Sequence, residues 1–231
     1  MSAPPACQAP PAPAWARLKR IAGKSGHPIF ARCWTLLDSV LGRDLEPLRA
    51  RLLDGLSGRV IEIGAGTGAN FAHYPPTVTE VLAVEPEPYL RERARRAARR
   101  APVTVRVLAG HAEELEAADG ELDGAVCCLV LCSVADQRLA LAEIARVLRA
   151  GGELRFLEHV RADGRLRSGV QAALDGAGIW PALGGGCHCS RATLAAIEQA
   201  GFAPQRSERV ALGPQIAPTN PVVLGVARRT G

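Results

Sequence analysis

Aromatic residues are scarce: three Trp, two Tyr and four Phe make up 4% of the 231 residues. Stacking on nucleic-acid bases has little to draw on. No nucleic-acid recognition motif accompanies the basic residues, so no such partner is expected. Lysine is nearly missing, with 2 Lys against 26 Arg. The net charge of +5 therefore reflects an Arg-, Ala-, Gly- and Pro-rich composition, as GC-rich coding produces, rather than an interface. No apolar run approaches the roughly 20 residues that cross a bilayer. Met1 to Pro13 is Ala/Pro-rich and has no apolar core of a secretory signal. A disulfide framework is not expected either. The seven cysteines are odd in number, and Cys127 and Cys128 are adjacent. That usage suits a reducing, cytoplasmic setting.

Hydrophobic residues, at 48%, suffice for one domain with a full core. Met1 to Pro13 reads as a Pro/Ala-rich tail and 14–58 as a helical cap. In the cap, Trp15 to Ile21 begins a short basic helix, Pro28 to Leu41 has helical apolar spacing, and Leu45 to Leu56 forms another helix. A peripheral membrane contact through Arg17, Lys19 and Arg20 is compatible with this cap. Residues 59–231 form the main domain, where strand and helix alternate. Strands are expected at Arg59–Ile63, Glu80–Val84, Val103–Leu108, Asp123–Leu129, Glu153–Val160, Pro204–Leu212 and Val222–Ala227. Helices are expected at Ala69–Tyr74, Tyr89–Arg100, Arg138–Leu148 and Ala192–Ala200. This alternation argues a mostly parallel sheet covered by helices.

The strongest local signal is Glu62-Ile63-Gly64-Ala65-Gly66-Thr67-Gly68, where a strand runs into glycines and a helix begins. Glycine there allows a tight turn and close approach of a ligand to the backbone. Glu85 follows the second strand, 21 residues after Gly64, where a carboxylate can accept hydrogen bonds from ribose hydroxyls. Gly64, Gly66 and Ala69 also satisfy a dinucleotide fingerprint. The glycine pattern alone leaves a nicotinamide dinucleotide and S-adenosylmethionine both open.

The remaining motifs separate them. Val84-Glu85-Pro86, Gly110-His111-Ala112-Glu113-Glu114-Leu115 and Glu143 to Gly152 follow the glycine turn in the order found in class I S-adenosylmethionine-dependent methyltransferases. The sequence resembles that class over roughly Arg59 to Val160. Asn70 to Pro76, Cys128 to Val134 and Phe156 to Val160 resemble more closely the methyltransferase-like protein seven group, which are thiol S-methyltransferases. Gly186 to Arg191 adds a weaker match. The resemblance implies a three-layer, Rossmann-like α/β fold. Its sheet would be mostly parallel and seven-stranded, with an antiparallel last strand, beside N-terminal helices. It implies S-adenosyl-L-methionine as cofactor and a small-molecule acceptor, foremost a thiol. Methylation of carbon, oxygen or nitrogen on a quinone-like or secondary metabolite is the same-fold alternative. A nicotinamide-dependent oxidoreductase and a binding module without turnover are the other classes. Carried over by position, the cofactor-binding residues are Glu62, Gly64, Ala65, Gly66, Gly68, Glu85, Pro86, Ala112, Glu113 and Leu129.

Methyl transfer from a sulfonium mainly requires alignment of acceptor and methyl group. A thiol acceptor reacts as thiolate, and its free pKa of about 8.5 leaves little ionised at neutral pH. His159, at the end of the fifth strand, is the expected catalytic base. Glu158 beside it should face the other way, and His188 is a second candidate. Cys187-His188-Cys189 and Cys127, Cys128 and Cys132 carry soft ligands, but their spacing is not that of zinc knuckles, so no metal is expected. The six arginines between Arg91 and Arg100 read as a solvated helix face.

Overall fold

The computed structural model describes residues 42, 44–213 and 217–231. The expected tail and the first two cap helices lie outside the described residues.

Seven strands form one sheet in the order β3-β2-β1-β4-β5-β7-β6. They are β1 (Gly58–Ile63), β2 (Val78–Val84), β3 (Thr104–Leu108), β4 (Leu122–Cys128), β5 (Leu148–His159), β6 (Phe202–Val210) and β7 (Val222–Arg229). The first five pair in parallel, and β7 lies antiparallel between β5 and β6. The central strands are nearly continuous runs of buried β-branched and small residues, because helices cover both faces. On one face, helix α1 (44–53) lays Leu45, Leu48, Leu52 and Leu53 on Val60, Val126 and Leu157. Helix α2 (Pro88–Ala98) adds Leu90 and Ala94 as its buried residues. On the other face, α3 (Gln137–Val147) buries Ala140, Leu141, Ile144 and Val147 against Ile61, Ala125 and Phe156. Helices α4 (Arg165–Gly176), α5 (Ile179–Leu183) and α6 (Thr193–Gln199) follow β5. Each fully buried Leu or Ile in these layers contributes about 1.5–3 kcal/mol relative to exposure.

Three local differences from the sequence reading have physical causes. The segment after the glycine turn makes only a single 3-10 turn, Phe71–His73. Tyr74 precedes Pro75 and is extended (φ −64°, ψ 128°), so the helix cannot continue. Strand β5 starts at Leu148 rather than Glu153. Its register on β4 jumps from Leu148 to Glu153, and Gly151 (φ 72°) turns the intervening residues out as a bulge. Helices α4 and α5 lie in a Gly/Ala-rich stretch whose helical pattern is weak. They leave Leu166, Val170, Ile179 and Leu183 exposed. Among the described residues, no helix is long and apolar enough to cross a membrane.

Strands β1 and β4 are neighbours although the chain leaves them in opposite directions along the sheet. The crevice at their carboxyl ends is where open α/β sheets bind ligands.

Candidate active site

Gly64, Gly66 and Gly68 all have positive φ (65°, 56° and 81°), which glycine tolerates without a Cβ clash. The turn they make is pinned at both ends. Ala65 N–H donates to the Val84 carbonyl at 3.0 Å, and Gly68 N–H to the Ala65 carbonyl at 2.9 Å. Gly66 N–H donates to Glu85 Oε2 at 2.7 Å, while Glu85 Oε1 accepts from Glu87 N–H at 2.9 Å. Glu85 is 4% exposed, and burial raises its pKa against the pull of those two N–H donors. Each carboxylate oxygen still has a lone pair free. Space beside Gly64 is equally defined: a Cβ there would sit 2.4 Å from Val130 Cγ2, on the loop after β4. A held carboxylate with spare acceptor capacity and a turn that tolerates no Cβ fit the ribose and methionine portions of S-adenosylmethionine.

The other expected cofactor residues divide by what their side chains already do. Ala112 is buried. Glu113 Oε1 accepts from Asp136 N–H at 3.1 Å, so its carboxylate steadies the start of α3. Pro86 follows Glu85, and Arg91 Nη1 donates to the carbonyls of both (2.8 and 3.0 Å). That arginine belongs to the run read as a solvated face, and here it braces the Glu85 turn. Arg95 and Arg96 pair with Glu92 on the surface, as a solvated face predicts. Glu62 is 2% exposed and turned under the glycine turn, where it accepts from Asn70 Nδ2 (2.9 Å) and Tyr74 Oη (2.7 Å). Burial pushes its pKa up to about 7 despite those two hydrogen bonds.

Leu129, at the end of β4, has φ 59° and is the one non-glycine with positive φ among the described residues. A left-handed leucine costs about 1–2 kcal/mol. Its neighbours hold it there. Leu129 N–H donates to the Leu157 carbonyl at 2.7 Å. The next three N–H groups, of Val130, Leu131 and Cys132, all donate to the Glu158 carboxylate (2.8, 2.8 and 3.3 Å). Glu158 is fully buried, and desolvation lifts its pKa to about 7 against these donors. It faces away from solvent and ties β5 to the β4 loop, as the alternation along the strand predicts for the neighbour of His159.

His159 is half-buried at the tip of β5. Its Nδ1 lies 3.6 Å from Cys132 Sγ and 3.5 Å from Cys187 Sγ. The three ligating atoms all lie within 4.8 Å of one another. The cysteine loops are tied together by their backbones: His188 N–H donates to the Cys132 carbonyl at 2.8 Å. Arg191 donates to the carbonyls of Leu131 and Val134 (2.7 and 2.9 Å). The Trp180 indole Nε1, buried without a conventional acceptor, faces Cys187. The Cys132 thiol, with His159 and Trp180 beside it, lowers the Cys187 pKa, while that same pairing, with burial, raises Cys132. His188 and Cys189 stand apart from this group. His188 Nδ1 donates to the Gly186 carbonyl at 2.8 Å, and Cys189 Sγ lies 3.5 Å from Asp175 Oδ1. Cys132, His159 and Cys187 meet because the loop after β4, the end of the adjacent strand β5 and the α5–α6 loop come together. His159 ends β5 and Cys132 lies four residues past the end of the neighbouring β4, and that was the available signal.

Comparison with known proteins agrees with this geometry. The sequence model of a family described as "Methyltransferase domain" matches residues 61–156. The chain is 36% identical over 181 residues to the human thiol S-methyltransferase TMT1B, covering 76% of this chain and 73% of that protein. It is 36% identical over 162 residues to human thiol S-methyltransferase TMT1A, covering 68% and 65%. The fold resembles geranyl diphosphate C-methyltransferase from Streptomyces coelicolor A3(2), solved with S-adenosyl-L-homocysteine. That match has a TM-score of 0.64 at 16% identity, over 81% of this chain and 80% of that one. With the seven-stranded sheet, the glycine turn and Glu85 in place, the chain is a class I S-adenosylmethionine-dependent methyltransferase. Within that class it belongs to the family of TMT1A and TMT1B.

Proposed function

We propose that this enzyme transfers the methyl group of S-adenosylmethionine to the sulfur of a small-molecule thiol. The observation that carries the acceptor class is the identity, across three quarters of the chain, with proteins named as thiol S-methyltransferases. The site supports it with a histidine between two thiols beside the cofactor turn. Gly64, Ala65, Gly66 and Gly68 pack against the methionine and ribose portions of the cofactor, and Glu85 accepts from the ribose hydroxyls. Pro86, Ala112, Glu113 and Leu129 complete its surroundings, and Glu62 supports the turn from beneath. The cofactor supplies an electrophilic methyl on a positively charged sulfur, so the leaving group needs no protonation. The chain's task is to bring an ionised sulfur into line with that methyl and exclude water. His159 is the catalytic residue at the acceptor end. Its Nδ1 is directed at Cys132 and Cys187, which set the position of the imidazole.

Mass spectrometry with methyl-labelled S-adenosylmethionine and a panel of alkyl thiols, aryl thiols, phenols and amines tests this reading. Label should appear on thiols, vanish with Glu85→Ala and fall sharply with His159→Ala across pH 6 to 9. Label on phenols or quinols but on no thiol would replace the acceptor class while leaving the cofactor in place.

A further inference from the structure

We propose that Cys132 Sγ, His159 Nδ1 and Cys187 Sγ bind one zinc ion, leaving a fourth position open for the acceptor thiol. The open position rests on the thiol reading; the three-ligand metal site does not. A sulfur at about 2.3 Å and a nitrogen at about 2.0–2.1 Å from a tetrahedral zinc lie about 3.5 Å apart. The two S···N separations are 3.6 and 3.5 Å, which match that spacing, and the two sulfurs lie within 4.8 Å of one another. Two thiolates and a neutral imidazole are a soft donor set that selects zinc over magnesium or calcium. They also cancel the charge of a divalent ion, which matters because Cys132 and Cys187 are 1% and 6% exposed.

The surroundings are built as a support for ligands. Cys132 sits on a loop whose N–H groups are fixed by Glu158 and whose carbonyl is fixed by His188 N–H. The buried Trp180 N–H has no hydrogen-bond partner, which leaves it available as an outer-shell donor of the kind metal-bound thiolates use. Three protein ligands with one open position is the arrangement of catalytic rather than structural zinc. Val130, two residues before Cys132, packs at the glycine turn, so the loop that carries Cys132 also meets that turn.

The consequence for the reaction balances. The acceptor arrives as R–SH, gives its proton to solvent, and its sulfur fills the open position as thiolate. That sulfur then forms the new S–CH3 bond, while the electron pair of the broken S–CH3 bond leaves with S-adenosylhomocysteine. The thioether binds zinc more weakly than the thiolate and is released.

The test uses the full chain, kept reduced with a phosphine so that no external thiol competes. Metal analysis and zinc titration should give about one zinc per chain. Cobalt in its place should give a thiolate charge-transfer band and the visible bands of a tetrahedral site. Cys132→Ser, Cys187→Ser and His159→Gln should each weaken binding at least tenfold, as loss of one ligand does, with S-adenosylhomocysteine binding retained to show that the fold is intact. Cys189→Ser, whose sulfur faces Asp175, should leave the metal in place. An alkyl thiol should shift the cobalt visible bands; a phenol should not. Substoichiometric zinc, or zinc binding indifferent to Cys132→Ser and Cys187→Ser, overturns the site. So does a native protein two hydrogens lighter with Cys132 linked to Cys187, which makes the pair a disulfide. If zinc binds through these residues but thiols neither shift the bands nor take label, the site stands and the acceptor assignment falls.

Discussion

Gly64→Ala isolates the close approach of the cofactor turn to the β4 loop. The new Cβ would meet Val130 Cγ2 at 2.4 Å and Cγ1 at 3.1 Å, and the backbone would have to keep φ 65°. The two penalties are separable. A non-glycine in the left-handed region costs about 1–2 kcal/mol. Forcing a methyl into a packed side chain costs about 1–3 kcal/mol more. The single variant should therefore lose about 2–5 kcal/mol of stability. Val130→Ala removes the two methyl groups that clash and nothing of the φ penalty. In a cycle of the two substitutions, urea unfolding should show the double variant about 1–3 kcal/mol more stable than the sum of the single changes predicts. Binding of S-adenosylhomocysteine, followed by calorimetry, should not recover fully, because the added methyl still narrows the turn. Additivity within about 0.5 kcal/mol would refute the contact with Val130 and leave only the backbone conformation to explain the glycine.

Other consequences follow from the same contacts. Glu85→Ala removes the proposed acceptor of the ribose hydroxyls and strands the N–H groups of Gly66 and Glu87. At about 1.5–3 kcal/mol for each hydrogen bond to a charged group, affinity for S-adenosylhomocysteine should fall at least about 100-fold, and a loss under fivefold contradicts the assignment. Glu62, whose pKa burial pushes up to about 7, binds its proton more tightly folded than unfolded. Stability should therefore be greatest below about pH 4.5 as far as this group is concerned, and decline by up to about 3 kcal/mol as pH rises through 7. Glu62→Gln should flatten that decline in unfolding measured from pH 5 to 8; an unchanged slope assigns it to other groups. Gly225→Ala would drive a Cβ to 2.3 Å from Phe156 Cζ and 3.0 Å from the Arg206 carbonyl. A loss of about 1–3 kcal/mol or more is expected in thermal unfolding, and a neutral result would mean that the β6–β7 ribbon yields easily.

The sheet was legible because parallel strands buried on both faces must be apolar runs, and the runs at Val60, Leu82, Val126 and Phe156 have no competing pattern. The glycine turn and Glu85 were legible for a different reason: few chemistries place a carboxylate at the end of the second strand. Helices α4 and α5 were not legible, since Gly164, Gly176 and Gly178 interrupt a segment whose apolar residues stay exposed. Periodicity signals burial, and little of this segment is buried. The Gly151 bulge was missed because Gly-Gly reads as a stop, whereas here it lies inside a strand. Arg91 was lost in its own abundance. Six arginines in one short run have the same sequence signature whether they are solvated or brace a carbonyl, and only the Glu85 turn beside it distinguishes the one that braces.

Cys132 shows where linear spacing fails as a guide to chemistry. It is 27 residues from His159 and 55 from Cys187, and the ligands close to it in sequence point elsewhere. What joins the three is the switch of direction between β1 and β4, which leaves the β4 loop free to turn over the strand ends. That loop serves two neighbours. Through Val130 it meets the glycine turn; through Cys132 it meets His159. Leu129 is the hinge between strand and loop, and its left-handed backbone is maintained by the buried Glu158 carboxylate and the Leu157 carbonyl. A strained residue persists only where its surroundings over-determine it. Here the four hydrogen bonds from Leu129, Val130, Leu131 and Cys132 to β5 do so. Because one short, fixed segment carries both contacts, the cofactor turn and the soft-ligand cluster cannot move independently. In the proposed reaction, alignment of sulfonium and acceptor would then rest on the four residues Leu129 to Cys132.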